Sequence, residues 1–117
     1  MILSTLIKEI HFSLDIVSEG FVPYKRDWVE IEYSKEPGTA KINTHSVKPL
    51  NCELVEKICN TSLNNRCGII DYSIFFTLDS LKCPAEYEPQ KHDLVDAVIV
   101  ESIQVGCTWR AVSITPV

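Results

Sequence analysis

The stretch that decides the fold is residues 68–79, which read Gly-Ile-Ile-Asp-Tyr-Ser-Ile-Phe-Phe-Thr-Leu-Asp. Most of these residues are β-branched or aromatic, the types that suit a pleated, half-buried surface. Gly68 permits a tight bend or a close backbone approach, and Asp71 lies where a turn would fall. The stretch therefore predicts two short β-strands joined by a tight turn.

An internal repeat extends this pattern through the chain. Three segments of the first copy match three of the second: IHFSLD at 10–15 with IFFTLD at 74–79, DWVE at 27–30 with DLVD at 93–96, and SVKP at 46–49 with SITP at 113–116. The offsets are 64, 66 and 67 residues, so the drift is small and falls in loops. We therefore predict two domains, an incomplete copy over 1–50 and a complete one over 51–117.

Both copies are predicted to be all-β, with short strands at the spacing of a small barrel. The expected strands are 6–14, 28–34 and 40–47 in the first copy, and 55–62, 66–70, 73–78, 93–101 and 108–115 in the second. The joint at 50–57 is expected to contain a helical turn over 53–57. The first copy has no room for its first two strands. We expect it to pack on the second copy as a half-barrel, or to form a homodimer through its open edge.

Alternation along two matching strands predicts which side chains face the core. The predicted inward set is Val29, Ile31, Tyr33, Val95, Ala97 and Ile99. This leaves Val98 and Val100 facing outward, and two outward valines need a cover. The neighbouring repeat is the favoured cover, ahead of a partner protein.

Composition and motifs narrow the function. The 117 residues carry a net charge of −5, which disfavours nucleic-acid binding by bulk charge but leaves a local basic patch open. Five cysteines without a C-x-x-C pair favour free thiols in a reducing compartment over a zinc site. No signal peptide is recognised, and no apolar run approaches the ~20 residues of a membrane span. With no catalytic motif present, the sequence predicts a cytoplasmic protein that is not an enzyme and needs no cofactor or metal.

Several strings resemble known proteins. RCGII at 66–70, DYSIFFT at 71–77 and AVSITP at 111–116 resemble strands of the cold-shock branch of the oligonucleotide-binding (OB) fold. VPYK at 22–25 and WRAVSITPV at 109–117 resemble the C-terminal repeats of the cancer/testis antigen 55 family. That family is similar to the N-terminal region of a germline RNA helicase of the piRNA pathway. The resemblance implies a five-stranded cold-shock/OB-like barrel after an incomplete copy of the same unit. It also implies an intracellular role in spermatogenesis and suggests a link to autophagy.

Weak binding of single-stranded RNA is the second function considered. Cold-shock domains stack bases on exposed aromatic rings, worth about 1–3 kcal/mol per base. The stacking positions correspond here to Cys67, Ile69 and Ser73, which are not aromatic. The candidate RNA contacts that remain are Phe75, Arg66, Lys41 and Arg110. Ordinary solvated charge is the alternative explanation for the basic residues.

Protein–protein contact is the leading function. The candidate contacts are Trp28, Ile31, Val98, Val100 and Trp109. Trp28 and Ile31 fit the aromatic-x-x-aliphatic pattern that autophagy modifiers capture by strand addition, although a Trp capping the barrel end explains the pattern as well. By alternation Trp109 lies opposite Val112 and Ile114, where it would pack between the repeats or contact a partner.

Overall fold

The structure, a computed structural model, describes residues 1–8 and 14–117, without the side chain of Leu14. These residues form eight strands and one short 3-10 helix. They are β1 (Ile2–Leu6), the 3-10 helix (Leu14–Ile16), β2 (Trp28–Lys35), β3 (Ile42–Pro49), β4 (Cys52–Asn64), β5 (Cys67–Ile70), β6 (Ile74–Thr77), β7 (Leu94–Gln104) and β8 (Cys107–Pro116). The all-β prediction is therefore confirmed.

The last five strands close into a barrel in the order β4-β5-β6-β8-β7. Only the β6–β8 pair is parallel. The barrel core consists of Ile70, Ile74, Phe76, Val95, Ala97, Ile99, Ala111 and Ile114. Gly68 is required in β5 because a Cβ there would overlap the Phe76 ring and the Ser62 carbonyl oxygen. The close backbone approach predicted at Gly68 is thus confirmed.

The first three strands form an open antiparallel sheet in the order β1-β2-β3. β1 pairs with β2 as β4 pairs with β7, with Leu6 opposite Trp28 and Cys59 opposite Leu94. A parallel bridge also recurs, between Val17 and Val47 in the sheet and between Lys82 and Ser113 in the barrel. The repeat read from the sequence is therefore a structural repeat.

One expectation about the first copy is wrong. Its first strand is present, because β1 occupies the place that β4 holds beside β7. The strand expected over 6–14 lies largely outside the described residues; at its two ends, Leu6 is the last residue of β1 and Leu14 begins a 3-10 helix. The IHFS match at 10–13 lies outside the described residues. Among the described strands, β5 has no counterpart in the first copy.

A second core cluster joins the sheet to the outside of the barrel. Its buried members are Ile7, Phe21, Val29 and Val47 from the first repeat, and Val100 and Val112 from the barrel. Ile31 of the sheet and Val98 of the barrel pack against this cluster. The neighbouring repeat therefore covers the outward valines, as predicted.

The helical turn expected over 53–57 is wrong. Those residues lie in β4, and their backbone pairs with β7. The pairing shifts between Val55 and Ile58, and Lys57 there has a φ of 54°. An irregular residue inside a strand pair marks a β-bulge, which bends the strand without ending it.

A register shift between β7 and β8 overturns the alternation expected around Trp109. Ser113 lies opposite Val98 and Ala111 lies opposite Ile99, so Val112 falls at the irregularity. Ala111 and Ile114 face the barrel core, whereas Val112 faces the sheet. Val112 and Ile114 were expected on one face, and the bulge separates them because one extra residue inverts the alternation beyond it.

Candidate functional site

A buried ion pair lies where the two repeats meet. Arg110 on β8 and Asp27, just before β2, both have fully buried side chains. Arg110 Nε donates to Asp27 Oδ1 at 2.9 Å, and Nη2 donates to Oδ2 at 2.7 Å. Nη1 donates to Ser80 Oγ at 3.1 Å, and Nη2 also donates to the Val22 carbonyl at 2.8 Å. A bidentate pair with further hydrogen bonds is the arrangement that makes burial of two charges tolerable.

Asp27 is held in place by its own turn. The Tyr24 N–H donates to Asp27 Oδ2 at 2.9 Å, and the Asp27 N–H donates to the Tyr24 carbonyl at 3.1 Å. Arg26 has a φ of 74°, and its N–H donates to the Ile7 carbonyl at 2.7 Å. An Asp side chain that binds nearby backbone suits such a turn. The carboxylate is therefore oriented before Arg110 reaches it.

Tyr24 covers both Arg110 and Phe75. Arg110 Cζ lies 5.4 Å from the centre of the Tyr24 ring, within the range of a cation–π contact. The rings of Tyr24 and Phe75 are 6.1 Å apart at a tilt of 36°, a favourable aromatic arrangement. An aromatic side chain of the first repeat thus lies beside the barrel's one remaining stacking residue.

The loop over residues 22–27 also bonds to the end of β7. The Ile103 N–H donates to the Arg26 carbonyl at 2.9 Å, and Arg26 Nε donates to the Ile103 carbonyl at 3.0 Å. Gln104 Nε2 donates to the Lys25 carbonyl at 2.9 Å. Asp27 and Ser102 form an antiparallel bridge. Side chains and backbone together fix one repeat on the other.

The structure does not assemble the predicted RNA contacts. Arg110 is fully buried, so it is not available to a nucleic acid. Arg66 is exposed and donates from Nε at 2.9 Å and from Nη2 at 2.6 Å to Asp79 Oδ1. The hydrogen bond and the charge of Asp79 raise the pKa of Arg66. Lys41 lies in the β2–β3 turn, outside the barrel, where its carbonyl accepts the Glu36 N–H. Phe75 alone stays on the barrel face, half-buried.

The predicted protein contacts are largely internal. Val100 is fully buried and Val98 half-buried in the junction, so Val100 is not a surface contact. Trp109 packs against the barrel core, not between the repeats. Trp28 and Ile31 are half-buried on β2, the central strand of the sheet. Because both edges of β2 are already paired, this segment is not presented for strand addition.

Sequence reasoning missed Tyr24 and the partner of Arg110. One signal was available, because Arg110 stands in a strand whose next residues, Ala111 and Val112, are apolar on both faces. An arginine in such a strand is almost never buried unless it is paired. The sequence could not name Asp27 as that partner, because the two residues are separated by 83 positions.

A shallow groove of about 180 Å³ crosses the barrel face beside Phe75. Its lining is Ser62, Asn64, Cys67, Gly68, Ile69, Phe75 and Val105. OB folds bind their ligands on the face of the second and third strands and on the loops that join strands 1–2 and 4–5. In this barrel those positions belong to β5, β6 and the β7–β8 turn. The loop over 22–27 lies beside them, with Tyr24 against Phe75 and Arg26 bonded to Ile103 of β7.

Within residues 1–8 and 14–117, no group of three or more His, Cys, Asp or Glu side chains is arranged to hold a metal ion. In the same residues no helix is long and apolar enough to cross a membrane.

The chain is similar to two kinds of known protein. A family model described as the cancer/testis antigen 55 N-terminal domain matches residues 4–50. The match names that family's N-terminal domain and falls on the first repeat. The RNA helicase Mov10l1 of Mus musculus is 54% identical over 107 residues, and that of Homo sapiens is 52% identical over 105. The alignments cover 92% and 90% of this chain and 9% of each helicase.

Proposed function

Because residues 4–50 match the family model of the cancer/testis antigen 55 N-terminal domain, we propose that the chain is a non-enzymatic protein-binding module of male germ cells. The similarity to the RNA helicase Mov10l1 supports a germline-related role. Because the chain spans 9% of each helicase, the proposal assigns it a binding part and no helicase activity. We place it in the cytoplasm, where it acts as a scaffold.

The open edge of β1 is the observation that carries this proposal. Among the described residues β1 pairs with β2 alone. Its sequence, Ile-Leu-Ser-Thr-Leu, contains no charge, and the side chains of Ile2 and Leu3 are 69% and 48% exposed. An uncharged strand edge with exposed apolar side chains is a template for pairing with another chain.

β4 also has an unpaired stretch of edge, but features of its sequence protect that edge from pairing with another chain. The first half of β4 pairs with β7, and only its last residues pair with β5. That half carries Glu53, Glu56 and Lys57, together with the irregularity at Lys57. Charges and bulges are the usual devices that keep a strand edge from pairing. β1 lacks both devices, which favours β1 as the edge that takes a partner strand.

The hydrogen bonds between β1 and β2 show which backbone groups of β1 would bond to a partner strand. The Ile7 N–H donates to the Asp27 carbonyl, and the Met1 carbonyl accepts the Tyr33 N–H. Odd-numbered residues of β1 therefore bond to β2, and even-numbered residues turn their N–H and C=O groups outward. Ser4 lies at the centre of the outward set. A proline there removes one outward N–H while the ladder to β2 remains.

Ser4→Pro therefore tests the proposal, and Leu54→Pro on the protected edge is its matched control. The Glu101 N–H donates to the Asn51 carbonyl, so odd-numbered residues at the start of β4 bond to β7 and the Leu54 N–H turns outward. We expect the wild-type chain and the Leu54→Pro control to self-associate in sedimentation velocity as concentration rises, through pairing of β1 with a second copy. Ser4→Pro should remain monomeric and keep its thermal midpoint. Equal sedimentation of wild type and Ser4→Pro, together with equal capture of proteins from testis extract, would rule the β1 edge out.

A link to autophagy through Trp28 and Ile31 has less support. Those residues lie on the central strand, whose edges are paired with β1 and β3. An autophagy-related partner would have to use the β1 edge instead, because strand addition needs free backbone groups.

A further inference from the structure

The barrel's ligand face is partly filled by the protein itself. An OB barrel offers ligands the face of its second and third strands, here β5 and β6. Phe75 is the one aromatic residue that lines the groove on that face, and Arg110 is its direct neighbour in the β6–β8 pairing. Both would serve a single-stranded nucleic acid, Phe75 by stacking and Arg110 by charge. Neither is free, because residues 22–27 of the first repeat lie against them.

Residues 22–27 accept three hydrogen bonds from the Arg110 guanidinium. Asp27 receives two of its hydrogen bonds, and the Val22 carbonyl receives a third. Tyr24 lies over the guanidinium and beside the Phe75 ring, at 5.4 and 6.1 Å. A phosphate would offer Arg110 the same negative charge, and a base would offer a carbonyl oxygen and an aromatic ring. The first repeat supplies them from within the chain.

The second repeat shows that this contact is specific to one loop. Gln90 and Asp93 hold the same turn as Tyr24 and Asp27, with the Gln90 N–H donating to Asp93 Oδ2 at 3.0 Å. Gln90 is exposed, and Asp93 binds Tyr87 inside the same repeat. The turn alone therefore does not produce a cover. The cover arises from the tyrosine at 24 and from the arginine at 110.

We propose that residues 22–27 are a built-in cover on the barrel's ligand face, and that this cover keeps single-stranded RNA off Phe75 and Arg110. The covered face becomes an RNA site when Tyr24 and the negative charge of Asp27 are removed. This assigns the loop an autoinhibitory role that is independent of the β1 edge.

The test measures fluorescence anisotropy of a labelled 12-nucleotide single-stranded RNA at low and physiological salt. The opened variant is Tyr24→Ala with Asp27→Asn, since Asn still accepts the Tyr24-position N–H but carries no charge. The matched control is Gln90→Ala, the same position in the other repeat. We expect the opened variant to bind at least fivefold more tightly than wild type and control, as one stacked base allows. That gain should weaken with salt, and adding Phe75→Ala should remove it.

Two results would overturn the cover. The first is wild-type binding that Phe75→Ala abolishes, because the face would then already be open. The second is an opened variant that is folded by circular dichroism and binds no better than Gln90→Ala. If the double variant does not fold, Tyr24→Ala replaces it, since that change uncovers the Phe75 ring and leaves the ion pair in place. A folded Tyr24→Ala that binds the RNA no better than Gln90→Ala would then overturn the cover.

Discussion

Asp27 and Asp93 close the same turn in the two repeats, yet they serve different neighbours. Each carboxylate accepts the backbone N–H three residues earlier, at 2.9 and 3.0 Å, and the residue before it has a φ of 74° or 76°. Asp93 also accepts the Tyr87 hydroxyl at 2.6 Å, inside the barrel. Asp27 accepts Arg110 from the other repeat. Phe21 stands where the barrel has Tyr87, so no hydroxyl competes for Asp27.

The geometry of this turn and the partner of its carboxylate have different causes. The backbone turn and the inward carboxylate are the same in both copies, because they depend on local hydrogen bonds. The partner of the carboxylate depends on one aromatic position and on one residue of another strand. A self-contained turn and an inter-repeat junction therefore differ by very few side chains.

Removing the arginine should produce the largest effect. Arg110→Met keeps much of the side-chain volume but leaves the Asp27 carboxylate buried without its partner. Breaking a buried pair in this way costs about 3–5 kcal/mol. We expect a loss of that size in the free energy of unfolding, measured by urea denaturation with tryptophan fluorescence. Adding Asp27→Asn should recover part of it, since the buried charge is then gone.

The exposed pair of Arg66 and Asp79 provides the control for that measurement. It has similarly short N–O distances, but both side chains are solvated. Arg66→Met should therefore leave the urea midpoint almost unchanged. If Arg66→Met and Arg110→Met lowered stability equally, burial would not be what makes the junction pair matter.

A change in β5 should have an intermediate effect and act on the barrel alone. Gly68→Ala places a methyl group against the Phe76 ring and the Ser62 carbonyl. Overpacking of this kind costs about 1–3 kcal/mol. We expect hydrogen exchange to accelerate in β4, β5 and β6, with the hydrogen bonds of β1–β3 affected less. Equal acceleration throughout the chain would mean that sheet and barrel unfold as one unit.

The smallest change converts the barrel's turn into the form of the first repeat. Tyr87→Phe removes the hydrogen bond to Asp93, and the loss of one such bond costs about 1 kcal/mol. Thermal unfolding at neutral pH should show this loss. The reciprocal variant Phe21→Tyr should not raise stability, because the Asp27 carboxylate already accepts hydrogen bonds from Arg110.

The same variant has a pH signature. Burial, and then the hydrogen bond to Asp93, raise the pKa of Tyr87 above its ordinary value near 10. The folded chain therefore holds this proton more tightly than the unfolded chain does. Its contribution is complete below about pH 10 and is lost as the pH rises further. Tyr87→Phe should show a shallower loss of stability above pH 10 than wild type.

Much of the fold followed from the sequence because its signals are local or repeated. Matched segments at a nearly constant offset identified the two copies, and the strands in the barrel lie within a few residues of those expected. The errors lie where a bulge or a partner strand overrides local preference. Residues 53–57 look helical in isolation but pair with β7, and Val112 leaves the alternation at a bulge. The site was less predictable, since Arg110 and Val100 looked like surface residues until the first repeat covered them.

From the amino-acid sequence alone we could predict the all-β class, the duplicated unit, the inward residues of β7 and the need to cover its outward valines. These depend on side-chain period and on similarity between segments, and both can be read along one chain. The folded arrangement was needed to show that Asp27 binds Arg110, that Tyr24 covers Phe75 and that β1 has an open edge among the described strands. Those outcomes depend on which distant residues meet, and an aspartate in a repeated turn offers the same carboxylate to whichever donor the fold brings to it.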